Sequence, residues 1–331
     1  MKSVLTKKNS AEAGCRNFEG TAYDYAFFVV ADPHINFPNT KNAIRLSKDS
    51  IKIFQDTLGE IEKAKAKAEI DMVVFAGDVM EARDYGMPHL ELAYGLMSKI
   101  SMHWLVLMGN HDSRYRSTLD EYEKRDFAKK FKGHGPDGEV AYWRYDVPGK
   151  KITFIGLDTS LVGTSGGSID DAQKKWLETT LDTLDSDRIV IIFMHHPAVI
   201  FDDIILHNED LHVYFIDNHQ EMRGLFEQHK TIKAVISGHT HVCRHLLLNG
   251  INYVSLPSIN TWPNMYTEFS GSKDKLIFKN IPISDKAKAE EAMNNLFSEG
   301  SAWLKYFYND RDALKTYFMS GHKEGIIYFD R

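Results

Sequence analysis

The feature that most constrains this chain is a set of six short apolar runs, AFFVVA, DMVVFAG, WLVLMG, KITFIGL, RIVIIFM and KAVISG, separated by longer amphipathic stretches. Runs this apolar and this rich in Val and Ile read as strands covered on both faces, and strands alternating with helices specify an α/β protein. After Asn39, the residues Ile44, Ile51, Phe54, Leu58 and Ile61 follow at spacings of 7, 3, 4 and 3, one stripe of a long helix. Further helices are expected near 89–100, 119–131, 170–181 and 219–229. From Ser237 the pattern changes: RHLLLNGINYVSLPS sets two apolar runs around Asn249-Gly250, the dipeptide of a tight hairpin, so an antiparallel element joins the sheet system. A strand-like KLIFKNI, a helical stretch over 285–307 and a terminal GIIYFD then form a C-terminal appendage. The boundaries drawn on this basis are a polar, mobile N-terminal arm over 1–22, a principal domain over 23–270, and a helix-and-strand extension over 271–331 that caps the site or joins two copies.

Five of the strands run directly into polar residues. AFFVVA leads to Asp32-Pro33-His34, DMVVFA to Gly77-Asp78, WLVLM to Gly109-Asn110-His111-Asp112, RIVIIFM to His195-His196-Pro197, and KAVIS to Gly238-His239-Thr240-His241. Open α/β sheets place their sites at the C-terminal ends of strands. Any one of these residues could be structural, since Asp after a strand is often an N-cap and Gly-Asn an ordinary turn; their coincidence at one sheet edge is the signal. Carboxylate, carboxamide and imidazole without thiolate suit Mn, Fe, Zn, Co or Ni better than Ca or Mg. Asp32, His34, Asp78, Asn110, one of His195 or His196, His239 and His241 make seven side chains, enough for two ions if one carboxylate bridges. Two ions roughly 3.5 to 4 Å apart hold phosphate oxygens and make hydroxide available for in-line displacement, so phosphoester hydrolysis is the inferred reaction.

Composition narrows the classes further. A chain of 331 residues, 43% hydrophobic and 26% charged, is neither a disulfide-stapled miniature nor disordered. A net charge of −6 gives no general attraction for nucleic acid or anionic lipid, so nucleic-acid binding is disfavoured. No apolar run approaches the roughly 18 residues of a membrane span. Two cysteines, Cys15 and Cys243, form no framework and fit a reducing compartment; MKSVLTKKNSAEAGC lacks the apolar core of a signal peptide, so a cytoplasmic location is expected.

The ordered series Asp-x-His, Gly-Asp, Gly-Asn-His-Asp, His-His-Pro and Gly-His-x-His over Asp32 to His241 resembles the calcineurin-like metallophosphoesterase superfamily. The resemblance covers about two-thirds of the chain and implies a four-layer α-β-β-α sandwich of two mixed sheets with the dimetal site at the sheet edge. It implies Asp32, His34 and His241 on one ion, Asn110, His195 and His239 on the other, and Asp78 between them; His195 is preferred to His196 because the first His of a similar His-His-Pro is the family's ligand. His111, beside Asn110 but turned elsewhere by alternation, is the candidate general acid, a role the resemblance supports, with Glu81 or Asp112 to hold its far nitrogen. The Ser/Thr protein phosphatases of the superfamily carry Gly-Asp-x-x-Asp-Arg-Gly, whereas this chain has Glu81 and a displaced Arg83, which speaks against protein phosphatase activity. Gly-Asn-His-Asp with His-His-Pro looks more like the branch of cyclic-nucleotide and glycerophosphodiester phosphodiesterases. A phosphodiesterase on a small diester is therefore expected, with two transition-metal ions (Mn, Fe or Zn). A phosphomonoesterase or nucleotidase on the same site is the alternative, and a non-catalytic interaction scaffold, which would be expected to lack ligands, the alternative of another class.

Other residues are assigned by position. Arg114 and Arg116 follow the Asn-His-Asp turn and are candidates for a phosphate oxygen. The segment 198–215, with Phe201, Asp202, Asp203 and His207, is expected over the site, and Trp262 and Tyr266 on a Pro-containing loop are candidates for stacking on a base or acyl group. Asp158 ends KITFIGL. His103, His134, His212, His219, His229 and His245 read as structural or surface residues. The aromatic run Trp303-Leu304-Lys305-Tyr306-Phe307-Tyr308 implies burial against a partner element, a second subunit among the choices.

Overall fold

The computed structural model describes residues 15–16, 22–38, 46–65, 70–82, 86–113 and 122–329. Of the arm expected over 1–22, a short ladder pairs β1 (Cys15–Arg16) with β2 (Ala22–Tyr23); the rest lies outside the described residues, as do Ile44, Arg83, Arg114 and Arg116.

Two six-stranded mixed sheets form the body. The first contains β3 (Tyr25–Val30), β4 (Met72–Phe75), β5 (His103–Val106), β12 (Met265–Gly271), β13 (Lys275–Pro282) and β14 (Glu324–Tyr328), in the order β14-β13-β12-β3-β4-β5. The second contains β6 (Trp143–Asp146), β7 (Ile152–Leu157), β8 (Ile189–Met194), β9 (Ile232–Ser237), β10 (Arg244–Leu248) and β11 (Ile251–Ser255), in the order β10-β11-β9-β8-β7-β6. All six predicted apolar runs are strands. β3, β4 and β5 are parallel, as are β7, β8, β9 and β11. The β10–β11 hairpin turns at Asn249 (φ 50°) and Gly250 (φ 84°), both in the left-handed region that a two-residue turn requires.

Alternation within each strand builds the layers. Tyr25, Phe27 and Val29 of β3 face Phe154, Ile191, Phe193 and Ile236 of the second sheet in a core between the sheets. Ala26, Phe28 and Val30 face the other way, against Ile53, Phe54 and Ile61 of α1 (Ser50–Lys65) and Leu90, Ala93 and Met97 of α2 (Gly86–Met97); Phe127 of α3 (Lys124–Lys130) joins this layer. On the far side, Ile155, Val190, Ile192 and Val235 pack on Leu177 and Leu181 of α4 (Asp171–Asp182) and on Met222 and Phe226 of α6 (His219–Gln228). The short α5 (Asp203–Leu206) and a 3-10 turn, Glu209–Tyr214, lie between β8 and α6 in the chain. The arrangement is a four-layer α-β-β-α sandwich.

The C-terminal boundary needs correction. A cut between 270 and 271 falls inside β12, and β13 and β14 extend the same sheet through a hairpin register that runs from Met265↔Pro282 to Gly271↔Leu276. Only the helices α7 (Lys286–Leu296), α8 (Ala302–Tyr306) and α9 (Arg311–Met319) stand apart, around a small core of Leu296, Trp303, Leu304, Phe307, Leu314, Tyr317, Phe318 and Val242. Burial of the aromatic run is thus satisfied within the chain, leaving Tyr308 outward at 74% exposure. No helix among the described residues is long and apolar enough to cross a membrane.

Candidate metal centre

The strand ends converge because parallel neighbours present their C-termini on one edge. Asp32 and His34 follow β3, Asp78 follows β4, Asn110 and His111 follow β5, His195 follows β8, and His239 and His241 follow β9. Asp32 (φ 51°), His34 (φ 44°), Asp78 (φ 48°), His239 (φ 67°) and His241 (φ 58°) all lie in the left-handed region, a conformation that costs of order 1 to 3 kcal/mol each. Backbone bonds from His34 N to Asp78 O (2.9 Å) and from Ile35 N to Val79 O (2.8 Å) pin the first two loops together.

The motif glycines have a steric reason. A Cβ on Gly77 would stand 2.5 Å from His195 Nδ1, one on Gly109 2.2 Å from Asp78 Oδ1, and one on Gly238 2.8 Å from Asp32 Oδ2. Each glycine leaves the space through which a neighbouring strand's ligand reaches the centre.

The donor atoms stand at ligand spacing. His241 Nε2 is 3.2 Å from Asp32 Oδ1 and 3.4 Å from His34 Nε2. His34 Nε2 is 3.7 Å from Asp78 Oδ2, while Asp78 Oδ1 is 3.3 Å from His195 Nε2, which lies 3.1 Å from Asn110 Oδ1. Ligands held about 2.1 Å from a tetrahedral or octahedral ion stand about 3.0 to 3.4 Å apart, so this set fits metal binding. Asp78 faces both halves. The tautomers are set from outside: His195 Nδ1 donates to Ala76 O (3.0 Å) and His239 Nε2 to Val213 O (3.0 Å), leaving His195 Nε2 and His239 Nδ1 for an ion.

The four residues around this set have separable roles. Glu81 places one carboxylate oxygen 3.0 Å from His34 Nδ1 and the other 2.8 Å from His111 Nδ1. It is therefore Glu81, and not Asp112, that holds the far nitrogen of His111. Asp112 is consumed as an acceptor for the backbone N–H groups of Gly109 (2.8 Å), Met80 (2.8 Å) and Val79 (3.1 Å), which staples the β4 and β5 loops together. His196 uses both ring nitrogens, on Thr159 Oγ1 (2.8 Å) and Ser165 O (3.1 Å), with its ring 4.3 Å from that of His239. His111 is 8% exposed, with Nε2 4.0 Å from Asp78 Oδ2.

Electrostatics match a site built for cations. Burial opposes ionisation of Asp32 and Asp78, yet the imidazoles of His241 and His195 around Asp32, and of His195, His111 and His34 around Asp78, hold both below the usual carboxylate range. Burial would depress His195, but Asp78 outweighs it and pushes it up to about 9. Burial and the neighbouring Asp78 push Asp112 well up. Burial and then neighbouring imidazoles lower both His196 and His239.

Several candidates lie elsewhere. Trp262, half-buried, packs on Phe297 (ring centroids 5.7 Å apart) and Phe318 (6.2 Å), and Tyr266 is buried against Phe28 (5.8 Å). Asp158 pairs with Lys124 Nζ at 2.6 Å, beside a cavity of about 410 Å³. The 198–215 segment does reach the centre, through Val213 O and through Tyr214, whose ring lies 5.0 Å from that of His239. Sequence reasoning missed Tyr214 and Trp303, the latter 6.3 Å from the His241 ring. Nothing in their spacing marks them.

Comparison with known proteins agrees with the geometry. A profile of the calcineurin-like phosphoesterase family matches residues 25–243, which span every motif from Asp32 to His241. A protein of Arcobacter nitrofigilis named a probable glycerophosphodiester phosphodiesterase, GpdQ, is 27% identical over 224 residues, 67% of this chain and 74% of that protein. One of Rhodococcus erythropolis named a probable cyclic nucleotide phosphodiesterase is 29% identical over 191 residues, 56% of this chain and 56% of that protein. Among solved structures, a dimetal phosphatase from Danio rerio superposes with a TM-score of 0.61 at 16% identity, over 78% of this chain and 96% of that one, a likeness of fold. A profile match over more than half of the chain, on the sandwich that carries the converging donors, establishes that this chain belongs to the calcineurin-like phosphoesterase family and is a metal-dependent phosphoester hydrolase.

Proposed function

We propose that this chain is a phosphodiesterase acting on a small diester, a cyclic nucleotide or a glycerophosphodiester. In this reading Asp32, His34 and His241 hold one ion, Asn110, His195 and His239 hold a second, and Asp78 serves both. The ions, Mn, Fe or Zn by donor type, supply Lewis acidity toward the phosphate oxygens and a nucleophile near neutral pH. What the chain itself supplies is orientation and a proton. Glu81 accepts from His111 Nδ1, which leaves Nε2 as the nitrogen that would protonate a leaving oxygen; the other oxygen of the same carboxylate stands 3.0 Å from His34 Nδ1, so one group neighbours both the proton donor and a metal ligand. The observation that supports a general-acid role for His111 is this Glu81 contact, since an alkoxide leaving group, from a diester or a monoester, needs a proton. The names borne by the two relatives support the choice of a diester.

The test compares bis(p-nitrophenyl) phosphate with p-nitrophenyl phosphate on the Mn²⁺-loaded chain. Higher kcat/KM on the diester is expected, with turnover lost in Asp78→Ala and Asn110→Ala. Preference for the monoester would reassign the chain as a phosphomonoesterase, and undiminished turnover in the variants would reject the ligand set.

A further inference from the structure

Arg244 opens β10 three residues after His241 and is 7% exposed. Its side chain is fully engaged. Nε donates to the Asp202 carboxylate (3.0 and 3.1 Å), Nη1 to Cys243 O (3.3 Å), and Nη2 to Tyr317 O (2.7 Å) and Ser320 Oγ (3.2 Å); the guanidinium carbon stands 4.9 Å from the Tyr317 ring centroid. One residue thereby joins three stretches distant in sequence: the start of α5, the end of α9, and the strand that continues from Gly-His-Thr-His.

Those stretches also flank the two histidines. The segment that begins at Asp202 leads to Val213, whose carbonyl accepts from His239 Nε2, and to Tyr214, whose ring lies against that of His239. Trp303 of α8 lies against Tyr214 (5.2 Å) and the His241 ring (6.3 Å), and its other neighbours include Tyr317 (6.1 Å) and Phe318 (5.1 Å) of α9. A buried ion pair is weak evidence for stability on its own, which leaves the geometry it imposes as its contribution.

We propose that Arg244 is a positioning residue for the metal centre: through Asp202 and α9 it holds Tyr214 and Trp303 against His239 and His241, making the C-terminal helices part of the catalytic apparatus. Groups that orient ligand imidazoles are worth about 10- to 100-fold in metal affinity. The inference rests on the metal-site reading above.

The experiment uses full-length Arg244→Gln, Arg244→Lys and Asp202→Asn, with Mn²⁺ titrated into the metal-free protein by calorimetry beside kcat, KM and melting temperature. Arg244→Gln is expected to weaken Mn²⁺ binding about 10-fold and lower kcat with KM changed less than about twofold, Asp202→Asn to act in the same direction, and Arg244→Lys to restore part of the loss. If Arg244→Gln does not fold, Asp202→Asn decides, because the Asp202 side chain is 25% exposed and Arg244 keeps its bonds to Cys243 and Tyr317. Folded variants that melt earlier but bind Mn²⁺ and turn over like the wild type would overturn the positioning role alone. A wild-type chain that binds no Mn²⁺ would overturn the metal-site reading with it.

Discussion

Adding one methyl group at Gly109 should disable the centre without replacing any ligand. The new Cβ would stand 2.2 Å from the backbone N of Asp78 and 2.2 Å from its Oδ1, where ordinary contact starts at 3.4 Å, so the two chains must separate by roughly 1.2 Å. Neither side yields cheaply. Asp78 has a left-handed backbone, its carbonyl accepts His34 N at 2.9 Å, and its Oδ1 accepts His111 N at 2.8 Å. Gly109 in turn donates to the Asp112 carboxylate at 2.8 Å. The strain falls on the carboxylate that both halves of the site share, and a displacement of about 1 Å at a reacting centre costs about 100-fold in rate, equivalent to about 2.7 kcal/mol. Overpacking should lower stability by about 1 to 3 kcal/mol as well. The assay is kcat/KM on bis(p-nitrophenyl) phosphate under saturating Mn²⁺, with bound metal measured by elemental analysis. Gly95→Ala in α2 is the control: its Cβ meets nothing within 4 Å, and it should leave the rate unchanged while adding about 0.5 to 1 kcal/mol of stability. A Gly109→Ala protein within about threefold of wild-type kcat/KM, folded and carrying two ions, would refute the steric reasoning.

Three further outcomes are expected. His111→Asn should lower kcat by about 100-fold or more on an alkyl diester and much less on a nitrophenyl diester, whose leaving group needs no proton; equal sensitivity of the two would remove the general-acid role. His196→Gln should cost about 1 to 3 kcal/mol of stability by stranding Thr159 and the Ser165 carbonyl, with two Mn²⁺ still bound; loss of one ion would make His196 a ligand. In the metal-free protein the protonated His195, raised from 6.5 to about 9 by Asp78, stabilises the fold fully below pH 6.5, and that contribution fades as the pH climbs through about 9. Melting temperatures of metal-free protein should fall across that interval while Mn²⁺ binding, which needs neutral imidazole, tightens; a flat profile for both would contradict the Asp78–His195 pairing.

Which parts of this molecule could be read from the chain follows from where each residue's environment is decided. The six apolar strands were legible because burial on both faces leaves a continuous apolar run, and the ligands were legible because each follows such a run directly; parallel pairing gathers them within each sheet, and the packing of the two sheets brings the two groups together. Where polar residues are buried, that signal vanishes: β12 reads Met-Tyr-Thr-Glu-Phe-Ser-Gly, yet Thr267, Glu268 and Ser270 are at most 5% exposed, with Thr267 satisfied by Asn280 Oδ1 across the hairpin. The sequence therefore marks no strand there, and a boundary between 270 and 271 cuts through it. The one-sided β6, with only Trp143 buried, escaped for the opposite reason, being too short and too polar to register. Between Glu81 and Asp112 the chain offered two carboxylates within reach of His111, and only the three backbone N–H groups that claim Asp112 separate them. The outer wall was the least legible of all. Tyr214 meets Trp303, and Arg244 meets Tyr317, through docking of the C-terminal helices rather than through any spacing, and an aromatic run such as 303–308 carries no mark of whether its own chain or another covers it. The same logic sets the order of experimental value. Substitutions at strand-end ligands test what the sequence already implied, whereas Arg244 and Asp202 test the contribution that only the folded chain brings together.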